Sequence, residues 1–329
     1  MSAALRALDG VSPQLQERLA SGLSEVEALL RARVDHEDPF IARASAHLLA
    51  GGKRFRPLLT LLAAELGQGC NDEVVMAAGG VELTHLASLY HDDVMDAANL
   101  RHGAPTVNAT YGNSTAIVIG DLLFGTASDL ISDLGADAVK IQAQTFVRLC
   151  SGQIRDDRPC PEGADPIAYY LGVLADKTGV LIATAARYGA LFGGCDAATV
   201  ATMTEYGERL GMAFQLADDL IDVSSEESGK TPGTDLREGK RTLPVLYALA
   251  SKDPADARLQ ELLRSDLAAD DAAHAEALAL LRGHPAMESA RAETRRVARG
   301  AQEALAALPE SDARRALLAL ATGVVERVV

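Results

Sequence analysis

The chain has 329 residues, 48% of them hydrophobic, with 46 acids against 31 bases and a formal charge of −15. That supply of apolar side chains is enough for a sizeable core and excludes general disorder. The negative field excludes nucleic acid as a partner, because most of the surface would repel a polyanion. Only 4% of residues are aromatic and Trp is absent, a composition that suits closely packed helices. Cys70, Cys150, Cys160 and Cys195 show no CxxC spacing, so neither a zinc site nor a disulfide framework is indicated. The first residues lack a signal-like apolar block, and no uncharged apolar run approaches the ~18 residues of a membrane span. The expected location is cytoplasmic, with room for transient contact with a membrane surface.

Apolar residues recur at three- and four-residue spacing almost throughout, which predicts an all-α fold. Helices are expected over 13–33 and 37–50, before the basic stretch "GGKRFRP" at 51–57. Lys53 and Arg56 stand there at i and i+3, near the start of a helix over 54–67, where backbone N–H groups also favour phosphate. A helix over 72–98 carries His85 and ends in "HDDVMD", with Asp92, Asp93 and Asp96. Tyr90 and Met95 beside this cluster read as core or cavity wall. Arg101 and His102 follow, then helices over 105–112, 115–134 and 137–157; the last includes "GQIRD", with Gln153 and Asp156.

The next helices fall over 166–189, where "DKTG" places Lys177 and Thr178, and over 196–223. The latter ends in "FQLADDLIDV", where Gln215 precedes Asp218, Asp219 and Asp222 in the same relative spacing as the first acidic cluster. Lys230 and Lys240 follow, and helices over 240–250, 254–265, 268–282, 286–307 and 311–327 complete the chain. No low-complexity linker separates two halves, so 1–329 reads as one domain.

A lone acidic run is usually a solvated face. Two DDxxD clusters among apolar neighbours are different, since on a helix the spacing aims two or three carboxylates at one point, and like charges so close call for a cation. Oxygen donors without a His or Cys constellation suit Mg²⁺, or alternatively Mn²⁺, completed by substrate phosphate oxygens. The scattered bases supply the other half of an anion site.

In kind and order, GGKRFRP, HDDVMD, LRHGAPTVN, DKTG, FQLADDLIDV and GKTPGTDLREGKRTLP resemble the trans-isoprenyl diphosphate synthases. The resemblance is clearest over 35–250, with the helices of 251–329 compatible. It implies a single-domain helical bundle around a deep central cavity, the two aspartate motifs facing each other across its mouth, and a homodimer. It implies that Asp92 and Asp96 hold two Mg²⁺ ions on an allylic diphosphate and Asp218 a third, with Asp93, Asp219 and Asp222 in support. Arg101, Lys177, Lys230 and Lys240 would contact that diphosphate, while Lys53, Arg56 and His85 would hold isopentenyl diphosphate. Thr178 and Gln215 would stabilise the carbocation by their dipoles, and Gln153 and Asp156 would stand at the metal edge. His102 departs from the commonest pattern, which has a second arginine; imidazole offers fewer donors, so weaker or more pH-sensitive isopentenyl diphosphate binding is expected.

The resemblance also bears on product length. Counting back from Asp92, Ser88, Ala87, Thr84 and Val81 line the face below the metal site, and in the resembled family bulky aromatics nearest the motif floor the cavity. Here both are small, which implies a polyprenyl product of C30 to C50. The alternatives are a geranylgeranyl or farnesyl diphosphate synthase closed by another residue, or a non-catalytic partner subunit of a heteromeric synthase.

Overall fold

A computed structural model describes residues 11–49, 52–101, 103–224 and 232–326. In chain order these form α1 (Pro13–Val34), α2 (Pro39–Ala46), α3 (Phe55–Ala64) and α4 (Asp72–Met95), then a two-stranded antiparallel ladder of β1 (Leu100–Arg101) and β2 (Ala104–Pro105). After the ladder come α5 (Val107–Tyr111), α6 (Asn113–Ser132), α7 (Ala136–Asp156), α8 (Pro166–Leu174), a π-turn (Ala175–Gly179), α9 (Val180–Phe192) and α10 (Ala197–Ser224). The remaining helices are α11 (Thr234–Arg237), α12 (Leu243–Ala250), α13 (Ala257–Arg264), α14 (Asp271–Arg282), α15 (Pro285–Ala304) and α16 (Asp312–Glu326). The fold is all-α, as composition and periodicity predict.

Three local features depart from the expected elements. The helix expected over 240–250 begins only at Leu243, because Pro244 lacks an amide hydrogen and fits a helix only in its first turn. The ladder is too short to show alternation. The π-turn interrupts a helix that periodicity reads as continuous.

The chain divides into two compact units, one of residues 1–147, 181–207 and 305–319, the other of 148–180, 208–304 and 320–329. In the first, α4 is the central element, packed against α1, α3, α5 and α6. Asn71 caps it by accepting from the Val74 amide at 2.9 Å, and Asp72 and Glu73 sit in the first turn, where the helix dipole favours anions. From Val74 to Ala87 almost every side chain is buried, so α4 has apolar or small residues on all sides rather than one stripe. Gly80 permits the close approach of α6, since a Cβ there would lie 2.6 Å from Ile131 Cδ1. Tyr90 is fully buried and its hydroxyl donates to the carbonyls of Ala44 and Ser45 at 2.6 and 3.0 Å, tying α4 to the end of α2. Met95, by contrast, is exposed rather than in the core.

The turn entering α3 is fixed by Arg54, whose backbone lies in the left-handed region at φ 56°. Its buried guanidinium donates to Glu27 Oε1 at 2.5 Å, to Glu82 Oε1 at 3.1 Å, and to the Leu49 carbonyl. Burial holds the Glu82 carboxyl above the ordinary carboxylate range, against the pull of Arg54 and Arg56. In the second unit, α12 packs against α8, α13, α14 and α15. Gln260 of α13 closes its carboxyl end by donating to Ala248 and Ser251 carbonyls at 3.1 and 2.9 Å.

By length and composition alone, Asn113–Ser132 and the run Pro166–Phe192 could cross a membrane. Both carry charges, among them Asp121, Asp129 and Arg187, and both send apolar side chains into the protein: Ile119, Leu123 and Leu130 on α6, Leu181 and Ile182 on α9. On its other side α6 exposes Ile117, Val118 and Leu122, and α7 exposes Val139 and Val147.

Arg54→Met leaves Glu82 buried without its main cation, so urea unfolding should show a loss of about 3–5 kcal/mol, the usual cost of breaking a buried ion pair. A loss below about 1 kcal/mol would show that water or Arg56 takes over the carboxylate.

Candidate active site

The first aspartate cluster lies at the carboxyl-terminal end of α4, and the second repeats its spacing in α10. The last carbonyls of a helix are already the negative pole of its dipole, so carboxylates there are disfavoured until a cation joins them. This placement is the main electrostatic fact about the first cluster; in the second it is the crowding of like charges.

At the end of α4, Asp92 is half-buried and Asp96 exposed, one helical turn apart. Asp93 between them is fully buried, and its Oδ1 accepts from Arg101 Nε at 2.8 Å. Arg101, expected on a diphosphate, gives its Nε to Asp93, and β1 is the element that delivers it. Asn108 adds support by donating to the Asp93 and Ala98 carbonyls at 3.2 and 3.0 Å. His85 lies two turns before Asp92 on the same helix, half-buried. Lys53 is exposed beside the Arg54 turn. Arg56 is half-buried, burial holds its guanidinium below the ordinary arginine range, and its Nε is buried with no hydrogen-bond partner among the described residues.

Among the residues counted back from Asp92, Ser88 is half-buried and its hydroxyl donates to the His85 carbonyl at 2.7 Å. Val81, Thr84 and Ala87 are fully buried. The Thr84 hydroxyl donates to the Gly80 carbonyl at 2.8 Å and accepts from Gln142 Nε2 of α7 at 2.6 Å.

The second cluster repeats the division of labour. Asp218 is half-buried, while Asp219 is buried and saturated: Gln215 Nε2 donates to Oδ1 at 3.0 Å and the Tyr170 hydroxyl donates to Oδ2. Burial pushes the Asp219 carboxyl up to about 7, with the Tyr170 and Gln215 hydrogen bonds working against it. Gln215 Oε1 in turn accepts from the Thr178 hydroxyl at 3.5 Å, so these two residues form a chain leading into Asp219. Asp222 is directed at backbone: Oδ1 and Oδ2 accept from the Thr234 and Asp235 amides, each at 3.2 Å, at the amino end of α11.

Lys177 donates to Asp156 Oδ2 at 2.5 Å, which brings together two residues expected at the site, whereas Gln153 turns to Asp157 at 3.3 Å. Lys240 is exposed and paired with Glu238 at 2.7 Å and Asp235 at 3.5 Å. His102 and Lys230 lie outside the described residues. The sequence reading missed Tyr170 and the partners of Asp176, namely Arg148 and Arg155; the available signal was a hydroxyl-bearing aromatic and two arginines in helices already placed beside the motifs.

The donor set of each cluster is oxygen only, and among the described residues no three His, Cys, Asp or Glu side chains are grouped to hold an ion by themselves. A cation here must draw much of its shell from water or a bound anion. That fits Mg²⁺, which usually takes one or two carboxylates and keeps the rest of its octahedron for water and phosphate.

Comparison with known proteins agrees with this chemistry. The Polyprenyl synthetase family model matches residues 38–281. A nonaprenyl diphosphate synthase of Mycobacterium tuberculosis is 47% identical over 311 residues, covering 93% of this chain and 92% of that protein. The crystal structure of a geranylgeranyl pyrophosphate synthase from Corynebacterium glutamicum, complexed with calcium and isoprenyl diphosphate, matches with a TM-score of 0.87 at 42% identity, covering 96% of this chain and 98% of that one. A decaprenyl diphosphate synthase from Rhodobacter capsulatus matches with a TM-score of 0.88 at 36% identity, covering 96% and 99%. With the paired aspartates, the buried arginine and the match to most of its length, the chain belongs to the polyprenyl synthetase family of prenyltransferases.

Proposed function

We propose that the chain condenses isopentenyl diphosphate with an allylic diphosphate and repeats the step to a trans-polyprenyl diphosphate of C30 to C50. The observation that carries the chemistry is the half-buried leading aspartates, Asp92 and Asp218, each followed by a buried aspartate that accepts a hydrogen bond from a neighbouring side chain. Asp92 and Asp96 hold two Mg²⁺ ions and Asp218 a third. When bound, Mg²⁺ neutralises the charge that develops on the departing diphosphate. Lys177 adds a cation once the diphosphate displaces Asp156 from it. Arg56, whose Nε has no partner to give up among the described residues, binds isopentenyl diphosphate together with Lys53 and His85. The allylic C–O bond breaks, the isopentenyl double bond supplies the electrons of the new C–C bond, and the proton lost goes to the released diphosphate.

The family match at 38–281 runs through both compact units, which supports one polyprenyl synthase domain. The exposed apolar side chains Ile117, Val118 and Leu122 on α6 and Val139 and Val147 on α7 support a homodimer, as apolar area that a second copy would cover. The acidic chain works in the cytoplasm.

Product length rests on Ala87 and Ser88, which put no aromatic ring ahead of the first cluster. The nonaprenyl synthase at 47% identity supports a long product, while the geranylgeranyl synthase at 42% identity supports the shorter reading. The buried Thr84–Gln142 hydrogen bond is the polar contact that a lengthening chain would meet on this helix.

Two measurements test the proposal. Asp92→Asn and Asp218→Asn should each lower turnover about 10²–10³-fold at saturating Mg²⁺, with the helical circular dichroism unchanged, because each removes leaving-group stabilisation rather than packing. Near-normal rates in either variant would remove that residue from the metal set. Chromatography of the products should show chains of C30 or longer from the unmodified enzyme and sharply shorter ones from Ala87→Phe and Ser88→Tyr. A product of C20 or below from the unmodified enzyme would overturn the long-chain assignment and leave the condensation standing.

A further inference from the structure

The helical run Pro166–Phe192 widens at Ala175–Gly179, where the Val180 amide reaches back five residues to the Ala175 carbonyl. Such π-turns are rare, concentrate at functional sites, and need neighbours to hold them. Here the hold comes from one carboxylate. Asp176 Oδ1 accepts from Arg148 Nε at 2.9 Å, and Oδ2 accepts from Arg155 Nη1 at 2.9 Å. The two arginines are seven residues apart on α7, so they rise from one face two turns apart.

Each arginine is itself fixed. Arg148 also donates to Glu208 Oε1 of α10 at 2.6 Å. Arg155 lies over the Tyr169 ring at 4.9 Å, and the Tyr169 hydroxyl donates to the Arg155 carbonyl at 3.0 Å. Between them Gly152 lets the α7 backbone abut the turn: a Cβ there would lie 2.4 Å from Lys177 N and 2.8 Å from Lys177 Cα. These contacts grip the backbone around Lys177 and the residue before it. None of them engages the Lys177 ammonium, which donates to Asp156.

We propose that Asp176 is a positioning residue for prenyl transfer: clamped by Arg148 and Arg155, it holds the π-turn and so sets where Lys177 presents its ammonium. The proposal rests on the reading of Lys177 as a diphosphate contact. If the turn tightened to ordinary α-helix, the residues on one side of it would rotate by about 100° relative to the other, enough to carry a side chain off its face. The clamp is also charge-balanced, with Asp176 and Glu208 against Arg148 and Arg155. It therefore fixes Lys177 without drawing on the cation the substrate needs.

The test is a double-mutant cycle in the full-length enzyme. Asp176→Asn, Lys177→Ala and the double variant are compared for kcat, KM and thermal midpoint. Asp176→Asn should lower kcat about ten- to a hundredfold, the scale expected for a misplaced contact, with little change in KM for isopentenyl diphosphate. The double variant should be no slower than Lys177→Ala, because the clamp acts through that residue. Multiplying losses, or a normal kcat in Asp176→Asn, overturn the positioning role while a slow Lys177→Ala leaves the diphosphate reading intact. A normal Lys177→Ala overturns that reading and the positioning role with it. Should Asp176→Asn fail to fold, Arg155→Lys keeps the charge and loses the fixed guanidinium geometry; it enters the same cycle with the same expected and overturning results.

Discussion

A carboxylate at the carbonyl end of a helix is in the least favourable place its backbone offers, and like charges crowded together add to the cost; this chain sets Asp92, Asp93 and Asp96 at the end of α4 and repeats their spacing in α10. Asp93 and Asp219 show how that is made tolerable. Each is buried, and each is given donors by its surroundings: a guanidinium for Asp93, an amide and a phenol for Asp219. The leading aspartates, Asp92 and Asp218, each stand next to one of these anchored carboxylates. Much else follows from the need for those donors, including the short ladder that delivers Arg101 and the helix start that puts Tyr170 within reach.

The basic residues divide by what already occupies them. Arg54 and Arg101 are bound to buried acids, so their charge is used to hold the chain together. Lys177 and Lys240 are paired with acids that keep substantial exposure, a weaker tie that an incoming anion can replace. Arg56 is different again, with a buried Nε that has no partner among the described residues. Charge type and spacing alone do not distinguish these three situations. Burial does.

That difference accounts for what was legible in the sequence. The helical class was legible because apolar spacing dominates nearly every stretch, and the motifs were legible because two DDxxD clusters among apolar residues repel themselves unless a cation joins them. The hydrogen bond from Arg101 to Asp93 was not, because it depends on a two-residue ladder with no periodicity to reveal it. Nor were the backbone partners of Asp222, whose oxygens meet the Thr234 and Asp235 amides twelve and thirteen residues on. The π-turn was invisible for a related reason: one additional residue in a turn changes the phase of a helix without changing its composition.

Helix α4 is buried on nearly every side from Val74 to Ala87 and is tied by Tyr90 to the end of α2. Segments of that kind exchange their amide hydrogens mainly through global opening, whereas loops open on their own at little cost. Asp92 and Asp93 follow that stretch by little more than one turn of the same helix. Adaptation to a different working temperature can then come from residues far from the chemistry, since anything that raises the opening free energy of this unit also lengthens the life of its carboxylate cluster.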